Sequence, residues 1–350
     1  MVDYLLGNTV FEVFGGARRL SVPNHNNIDY LHFDPRFHVI NFDLTDAHSI
    51  SQAVSQLKPD YFINFAAQSF VKSSWDFPAQ TWETNTTSII HILEAIRLHS
   101  PKCRFYNAGS SEEFGDVIYS PQDEQHPLRP RSPYAASKAA ARQIVKVYRE
   151  SYGLYAIQGW LFNHEGTRRG EEFVTRKISK GAAEAFRSMA AHQPVAAIEL
   201  GYLDAKRDWS DASDCVDAVW RMLNQEKYCE KPGGSVVGNL SEYVVSSDEN
   251  HSVREFVERA FSVRTIIPKP TWEGKGLDEK YVWDDQILVK VNPGFYRPAE
   301  VECLLGNSSR IRKELGWQPK VSFDRLVEKM VLHDLARIDP VPKYPDVGVQ

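Results

Sequence analysis

Two short stretches of the chain carry side chains that can move protons. Tyr134 and Lys138 are four residues apart, a spacing that places both on one face of a helix. The lysine ammonium would stabilise a tyrosine phenolate, so that a phenol with an ordinary pKa of about 10 becomes a usable base. Ser110 and Glu112 occur shortly before this pair, just after an apolar run. This combination suits hydride transfer from a sugar hydroxyl, in which a proton leaves as the hydride departs.

The Tyr-x-x-x-Lys spacing alone is weak, because it recurs at Tyr202 and Lys206 in a chain with 15 tyrosines. Its context separates the two matches. Ser132 and Pro133 supply a helix cap and a first-turn proline directly before Tyr134, and alanines follow. We therefore expect the first pair to sit on a rigid first turn. The alternative is that this tyrosine merely packs and its lysine is solvated.

Length and composition indicate an ordinary globular protein of 350 residues with one or two domains. The net charge of −5 comes from well-mixed signs, so we expect neither a nucleic-acid partner nor a membrane surface. No leader peptide or membrane-spanning run is expected. The cysteines lack the spacing of metal or redox sites, which predicts reduced thiols, no metal and a cytoplasmic location: they are Cys103, Cys215, Cys229 and Cys303.

Alternating apolar strands and amphipathic helices predict an α/β fold built on a doubly wound, Rossmann-like parallel sheet. Strands are expected at 37–42, 61–66, 104–108 and 154–162, with long helices at 78–98 and 133–152 and shorter ones at 252–261 and 309–315. We assign residues 1–162 to the doubly wound domain. Residues 163–338 form mainly a smaller mixed α/β domain, with some segments returning to the sheet, and 339–350 form an extended tail.

Polar loops follow three of the predicted strands, beginning near Asp43, Ala66 and Gly109. Because ligands bind at the carboxyl ends of parallel strands, we expect these loops to converge on one crevice. The sheet looks incomplete at its N-terminus, since no first strand with a Gly-rich turn is present. Gly15 and Gly16 instead follow residues 11–14, which resemble a second strand. The chain is then either shortened relative to its relatives or built without that phosphate cradle.

A pair of arginines, Arg18 and Arg19, follows this second-strand segment where doubly wound folds contact the adenosine ribose. Guanidinium groups suit a ribose 2′-phosphate, whereas a carboxylate suits a bare ribose. The pair therefore favours NADP over NAD. The alternative is a solvated basic pair.

From residue 11 to about residue 332 the chain resembles the GDP-mannose 4,6-dehydratases of the extended short-chain dehydrogenase/reductase family. The most specific segment is 161–178, which contains Asn163, His164 and Arg169. Supporting segments are 65–69, 131–138, 207–209, 252–256 and 296–301.

The resemblance implies that NADP stays bound through the cycle. Tyr134 would take the O4 proton as hydride leaves C4 of the sugar for the nicotinamide. Glu112 would then remove the C5 proton and assist loss of the C6 hydroxyl as water, after which hydride returns to C6. Ser110 would hydrogen-bond the sugar O4. GDP-mannose would become GDP-4-keto-6-deoxymannose without net use of cofactor, and synthesis of GDP-fucose is one usual destination.

The resemblance also implies that the domain of residues 1–162 binds NADP and that residues 163–338 mainly bind the GDP-sugar, and it assigns binding residues. Those implied for NADP are Arg18, Arg19, Leu20, Ser21, Asp43, Leu44, Phe65, Ala66, Ala67, Gln68, Ser69, Tyr134, Lys138, His164 and Arg169. Those implied for the GDP-sugar are Ser69, Asn163, Val174, Lys177, Arg207, Arg297 and Glu300. As an alternative, Arg176 and Lys177 would form a solvated helix face.

Three other functions stay open at this point. A catalytically silent relative could serve as a scaffold or assembly subunit, and the missing Gly-rich turn favours this reading. The same chemistry could act on a GDP-heptose. An NADP-dependent epimerase or reductase would also use the Tyr-Lys pair, although Glu112 favours elimination. By analogy with relatives, a homodimer or homotetramer with residues 18–21 at the contact is expected.

Overall fold

The computed structural model describes residues 1–21, 27–227, 240–295 and 303–338. Its strands are β1 (Val13–Ala17), β2 (Phe37–Asn41), β3 (Tyr61–Asn64), β4 (Arg104–Ala108), β5 (Ala156–Leu161), β6 (Asn163–Glu165), β7 (Ile198–Leu200), β8 (Lys206–Arg207), β9 (Trp209–Asp211), β10 (Val244–Val245), β11 (His251–Ser252), β12 (Thr271–Glu273), β13 (Lys280–Trp283), β14 (Gln286–Val291) and β15 (Cys303–Leu304). Its helices are α1 (Val2–Asn8), α2 (Ala47–Leu57), α3 (Ser73–Asp76), α4 (Pro78–Trp82), α5 (Ser88–His99), α6 (Pro133–Tyr152), α7 (Val174–Ala190), α8 (Ala212–Leu223), α9 (Val253–Phe261), α10 (Ser309–Leu315) and α11 (Phe323–Ile338).

The chain packs as two units, each built from separate stretches of sequence. The first unit takes in residues 1–164, 212–249 and 304–320, and the second contains the other described residues. The predicted assignment of residues 1–162 to NADP and 163–338 to the GDP-sugar remains a prediction. The predicted tail at 339–350 lies outside the described residues.

The central sheet of the first unit is parallel, with strand order β10-β5-β4-β3. Successive side chains of a strand point to opposite faces, and β4 shows both. Phe105 packs with Ile92 of α5 on one face, whereas Tyr106 packs with Met222 of α8 on the other. Helices therefore cover both faces of this sheet, and the predicted doubly wound α/β fold is confirmed.

A second, two-stranded parallel sheet of the first unit joins β1 to β2. Gly15 and Gly16 lie inside β1, so the prediction that they follow the strand was wrong. The physical reason is close packing. A Cβ on Gly15 would lie 3.1 Å from the Phe37 ring, and one on Gly16 would lie 3.0 Å from the Phe42 Cβ. Glycine suits both positions because a Cβ would crowd the neighbouring phenylalanine side chains.

The helix predicted at 78–98 is interrupted. Residues Glu83–Thr87 form a π-helical segment between α4 and α5. Helix α6 has the predicted bounds, because Ser132 Oγ accepts from the Ala135 N–H over 3.1 Å and Pro133 occupies the first turn. It ends at Gly153, whose φ of 66° suits a residue without a Cβ.

The second unit is a mixed α/β structure, as predicted. Its sheet has the order β12-β13-β14-β7, with antiparallel pairs except for the parallel β14–β7 pair. Apolar side chains of α7, α9 and α11 form its core with Val289 of β14. Of these three helices, only α9 was predicted as a helix from the sequence.

Candidate active site

The first turn of α6 holds Tyr134 and Lys138 in one buried position. Their exposed fractions are 8% and 4%, and the lysine Nζ lies 6.0 Å from the tyrosine ring centroid. The pair is therefore held by packing on a rigid helix, which excludes the alternative in which the lysine is a solvated side chain.

The amine of Lys138 is tied to the neighbouring strand, because its Nζ donates to the Ala108 carbonyl oxygen at the end of β4 over 2.8 Å. Burial lowers the pKa of this lysine to about 8, and the nearby Glu113 carboxylate acts in the opposite direction. The amine is thus close to its titration range at neutral pH, and it faces a tyrosine whose proton it can help to move.

The loop after β4 places Ser110 and Glu112 beside this lysine contact. Ser110 begins a short 3-10 turn, where its Oγ accepts from the Glu112 N–H over 3.2 Å and its own N–H donates to Glu113 Oε1 over 2.8 Å. Ser110 and Glu112 are half-buried, whereas Glu113 is fully buried. The two adjacent glutamates therefore have different environments: Glu112 is partly exposed, whereas the buried Glu113 carboxylate holds the loop.

The loop of residues 65–69 is held by the π-helical segment. Asn85 Oδ1 accepts from the Gln68 N–H over 2.9 Å, and Asn85 Nδ2 lies 3.0 Å from the Gln68 carbonyl oxygen and 3.1 Å from Ser137 Oγ. Ser137 in turn donates to the Tyr134 carbonyl oxygen over 2.7 Å. One buried asparagine, which sequence reasoning missed, thus connects the proposed cofactor loop to the helix of the Tyr-Lys pair.

The other residues of the proposed cofactor loop are accessible, since Phe65, Ala66 and Ser69 are exposed and Ala67 is half-buried. Gln68 Oε1 is buried and has no hydrogen-bond donor in the part of the chain that the structure describes. A buried acceptor without a donor is costly, so a bound group that supplies one would fit this loop.

The proposed adenosine site offers cations and one fixed carboxylate. Residues 18–21 are exposed after β1, and Leu44 is buried after β2. The backbone N–H and hydroxyl of Thr45 bond to Asp43 and lower the pKa of its carboxyl, with a smaller contribution from Arg18. The ionised Asp43 is therefore held in a tight turn, and the Arg18 and Arg19 side chains are accessible to an anion.

Further predicted residues lie near the start of the second unit. Arg169 Nε lies 3.1 Å from Glu165 Oε2, which also accepts from Thr175 Oγ1 over 2.6 Å. Burial raises the pKa of Glu165, opposed by these two partners. Arg169 also stacks over the Phe173 ring at 3.5 Å. This arginine is therefore fixed by two protein contacts before any ligand is considered.

Arg176 and Lys177 are neighbours with different environments. Arg176 is buried and forms an ion pair of 2.7 Å with Asp334, so the solvated-face alternative does not hold for it. Lys177 is half-buried, its Nζ lies 3.6 Å from the Phe295 ring centroid, and burial lowers its pKa. Of these two residues, only the lysine has no ion pair among the described residues, so it is the better candidate to contact an anionic ligand.

The remaining predicted substrate residues are distributed over both units. In the first unit, Asn163 is half-buried, as is His164, whose Nδ1 lies 3.0 Å from the Phe162 carbonyl oxygen. In the second, Val174 is half-buried, and Arg207 is buried with NH1 donating to the Lys206 carbonyl oxygen over 2.8 Å. Arg297 and Glu300 lie outside the described residues.

The described residues contain neither a membrane-spanning helix nor a candidate metal cluster. No helix in them is long and apolar enough to cross a membrane. Across the same ranges, no group of three or more His, Cys, Asp or Glu side chains is placed to hold a metal ion.

The chain is similar to known proteins over most of its length. The sequence model of the family described as GDP-mannose 4,6 dehydratase matches residues 1–330. The GDP-mannose 4,6 dehydratase of Drosophila melanogaster is 42% identical over 353 residues, covering 97% of this chain and 84% of the fly protein. The GDP-mannose 4,6-dehydratase of Vibrio cholerae serotype O1 is 39% identical over 344 residues, covering 93% of this chain and 87% of the bacterial protein.

Among solved structures, RMD from Pseudomonas aeruginosa complexed with NADPH has a TM-score of 0.68 to this chain at 22% identity. The match covers 88% of this chain and 93% of that one, and it shows a shared fold. The family match and the identities extend well beyond the Tyr-Lys helix and its loop, over more than nine tenths of the sequence. On this basis the chain belongs to the GDP-mannose 4,6 dehydratase family.

Proposed function

We propose that this protein is an active GDP-mannose 4,6-dehydratase, which converts GDP-mannose to GDP-4-keto-6-deoxymannose with loss of one water. The family match and the names of the relatives support the reaction. The observation that carries catalytic competence is the contact between Lys138 Nζ and the Ala108 carbonyl oxygen, which brings the Tyr-Lys pair beside Ser110 and Glu112. A silent scaffold has no physical need for this arrangement, and neither it nor a GDP-heptose enzyme is favoured by the relatives.

NADP is the proposed cofactor. The Pseudomonas protein of the same fold is complexed with NADPH. In this chain the exposed Arg18 and Arg19 suit a 2′-phosphate, and the buried Gln68 Oε1 lacks a donor among the described residues. When bound, NADP would accept a hydride from the sugar and return it. The residues proposed to hold it are the separate positions that the resemblance implies for NADP, of which Arg18 is the first and Arg169 the last.

The Tyr134 phenolate is the proposed base for the sugar O4 hydroxyl. Its buried position gives the negative charge little help from water, so stabilisation must come from Lys138. The ammonium lies close enough to interact electrostatically with the ring, and its bond to the Ala108 carbonyl oxygen fixes its direction. Ser110, in the adjoining loop, would orient the same hydroxyl.

Glu112 is the proposed base and acid for elimination. Once C4 is a ketone, the C5 proton is acidic, and a carboxylate can remove it and then protonate the departing C6 hydroxyl. Its half-buried position is compatible with this role, whereas the neighbouring Glu113 is fully engaged with protein groups.

Cations of the second unit are proposed to hold the diphosphate, with Lys177 and Arg207 as the described candidates and Arg297 as a third from the sequence. Asn163, Ser69 and Val174 would complete the GDP-sugar contacts, and Glu300 would read donors of guanine or ribose. A homodimer or homotetramer and a cytoplasmic location also remain proposals. Light scattering tests the oligomeric state.

Mass spectrometry of GDP-mannose incubated with the purified protein tests the function, with and without added NADP. The expected product has lost one water. Tyr134→Phe and Glu112→Gln should each reduce the rate by at least about 10²-fold, because each removes a proton-transfer group. Absence of product from the wild-type protein, with NADP supplied, would overturn the proposal.

A further inference from the structure

Beneath the candidate active site lies a buried charged cluster that the proposed chemistry does not use. Arg142, on α6 one turn beyond Lys138, is 3% exposed, and its Nε donates to Glu113 Oε2 over 2.6 Å. Its NH1 also donates to Glu242 Oε2 over 2.8 Å, and its NH2 lies 3.3 Å from the Gly159 carbonyl oxygen. The guanidinium stacks over Trp160 at 3.5 Å.

Glu113 links this arginine to the loop that carries Ser110 and Glu112. Its Oε1 accepts from the Ser110 N–H over 2.8 Å and from Gln158 Nε2 over 3.1 Å, while its Oε2 is held by Arg142. Movement of this carboxylate would therefore move the backbone that carries Ser110 and Glu112.

The cluster continues across the sheet as a row of amides. Gln158 Oε1 accepts from Asn107 Nδ2 over 2.6 Å, and Asn107 Oδ1 accepts from Asn64 Nδ2 over 2.9 Å. Asn64 ends β3, directly before the loop of residues 65–69. Gln158 Nε2 also donates to the Lys138 carbonyl oxygen over 3.0 Å. The row thus joins three neighbouring strands to the same carboxylate.

A buried ion pair is poor evidence of stability, because its desolvation cost often cancels its attraction and apolar side chains of similar volume can replace it. Such a pair instead imposes a defined geometry on the groups that it contacts. We infer that Arg142 and Glu113 are positioning residues, which hold the Ser110–Glu112 loop in register with the Tyr134–Lys138 helix. This inference rests on the proposed function.

The test separates positioning from stability with a paired replacement. Arg142→Met alone leaves Glu113 buried without its cation, so it is expected to lower both Tm and kcat. The double variant Glu113→Leu/Arg142→Met removes both charges and keeps apolar volume, so Tm should recover. If the pair positions the loop, kcat stays roughly ten- to a hundredfold below wild type with little change in KM. Recovery of kcat together with Tm would overturn the inference.

Arg149→Met is the matched control. Arg149 lies on the same helix and donates to Glu242 Oε1 over 2.9 Å, but no described contact joins it to Glu113. It should change Tm more than kcat.

A second readout does not depend on the reaction. Hydrogen exchange at the Ser110 amide, measured on the protein without added substrate, should be accelerated at least about tenfold in the double variant and unchanged in Arg149→Met. Unchanged exchange in the double variant would overturn the inference even if the wild type were inactive. An inactive wild type with accelerated exchange in the double variant would instead count against the proposed function alone.

Discussion

Lys138 Nζ donates to the Ala108 carbonyl oxygen over 2.8 Å, so the helix that carries Tyr134 is joined directly to the strand that leads to Ser110. This contact buries a primary amine at the point where two segments of the candidate active site meet. The ionisable groups around it are Tyr134 on its own helix, Glu113 on the loop, and Arg142, which pairs with that glutamate.

The pH dependence of the rate should follow the protonation state of the Lys138 amine. Burial lowers the pKa of Lys138 to about 8, and the charged form is the one that stabilises a phenolate. We therefore expect kcat to fall as the pH rises through about 8. Glu113→Gln removes a carboxylate that raises the lysine pKa, so a pH–rate profile of this variant should show the fall at lower pH. An unshifted profile would contradict the coupling.

The same shift connects stability to pH. Folding lowers the lysine pKa from its ordinary 10.5 to about 8, so between these values the unfolded chain binds more protons and the free energy of unfolding rises with pH. The rise is expected to be up to about 3 kcal/mol. Urea unfolding of wild type and Lys138→Met near neutral pH and near pH 10 checks it. The free energy of unfolding of wild type should increase relative to that of Lys138→Met at the higher pH.

Gly109 is a position of close backbone approach directly before Ser110. A Cβ there would lie 2.2 Å from the Gly159 carbonyl oxygen and within 2.8 Å of Glu113 Oε1. Gly109→Ala should therefore lower the free energy of unfolding by about 1–3 kcal/mol and reduce kcat. In the control Gly7→Ala, a Cβ in α1 meets nothing within 4 Å, and stability should rise by about 0.5–1 kcal/mol. Thermal unfolding of both variants tests the comparison.

Asn85→Ala should weaken cofactor retention. It removes the side chain that holds both backbone groups of Gln68 and contacts Ser137, at a cost of about 1–3 kcal/mol in stability. NADP released on denaturing the purified protein should fall relative to wild type. Glu83→Ala, an exposed change in the same π-helical segment, serves as control and should retain NADP. Equal retention by Asn85→Ala would argue against this role.

Arg176 and Lys177 should respond oppositely to replacement. Arg176→Met leaves Asp334 buried without its cation, and we expect a loss of about 3–5 kcal/mol in the free energy of unfolding. Lys177→Ala removes a half-buried cation without an ion pair among the described contacts, so stability should change little while KM for GDP-mannose rises about tenfold. Denaturant unfolding and steady-state kinetics of both variants distinguish the two roles.

Local signals predicted the part of the fold that surrounds the Tyr-Lys pair. The Ser132-Pro133 start of α6 is a chemical feature of helix N-termini, and the structure has it. The strands at 61–64 and 104–108 likewise follow from short apolar runs. The strands β12 to β14 were missed because they are partly exposed and lie among charged loops, so their pattern carried no clear period.

The supporting polar contacts could not be predicted from spacing. Glu113 and Arg142 are 29 residues apart, and they meet only because the fold brings the loop after β4 against α6. In the sequence, Glu113 looks like a second copy of its neighbour Glu112. Burial decides which of the two is available to a substrate, and burial depends on tertiary packing.

The π-helical segment changes the direction in which side chains point before and after it, so that one stretch of chain can contact two different surroundings. Each residue of a regular α-helix advances the side-chain direction by about 100°. Residues Ser88–His99 must aim Ile92 and Ile96 at the sheet, while Asn85 must aim at Gln68 and Ser137. The wider turn at Glu83–Thr87 shifts the phase between them. Deleting one residue there would restore an unbroken α-helix. Either the isoleucines would then turn away from the apolar core, or Asn85 would turn away from the loop of residues 65–69.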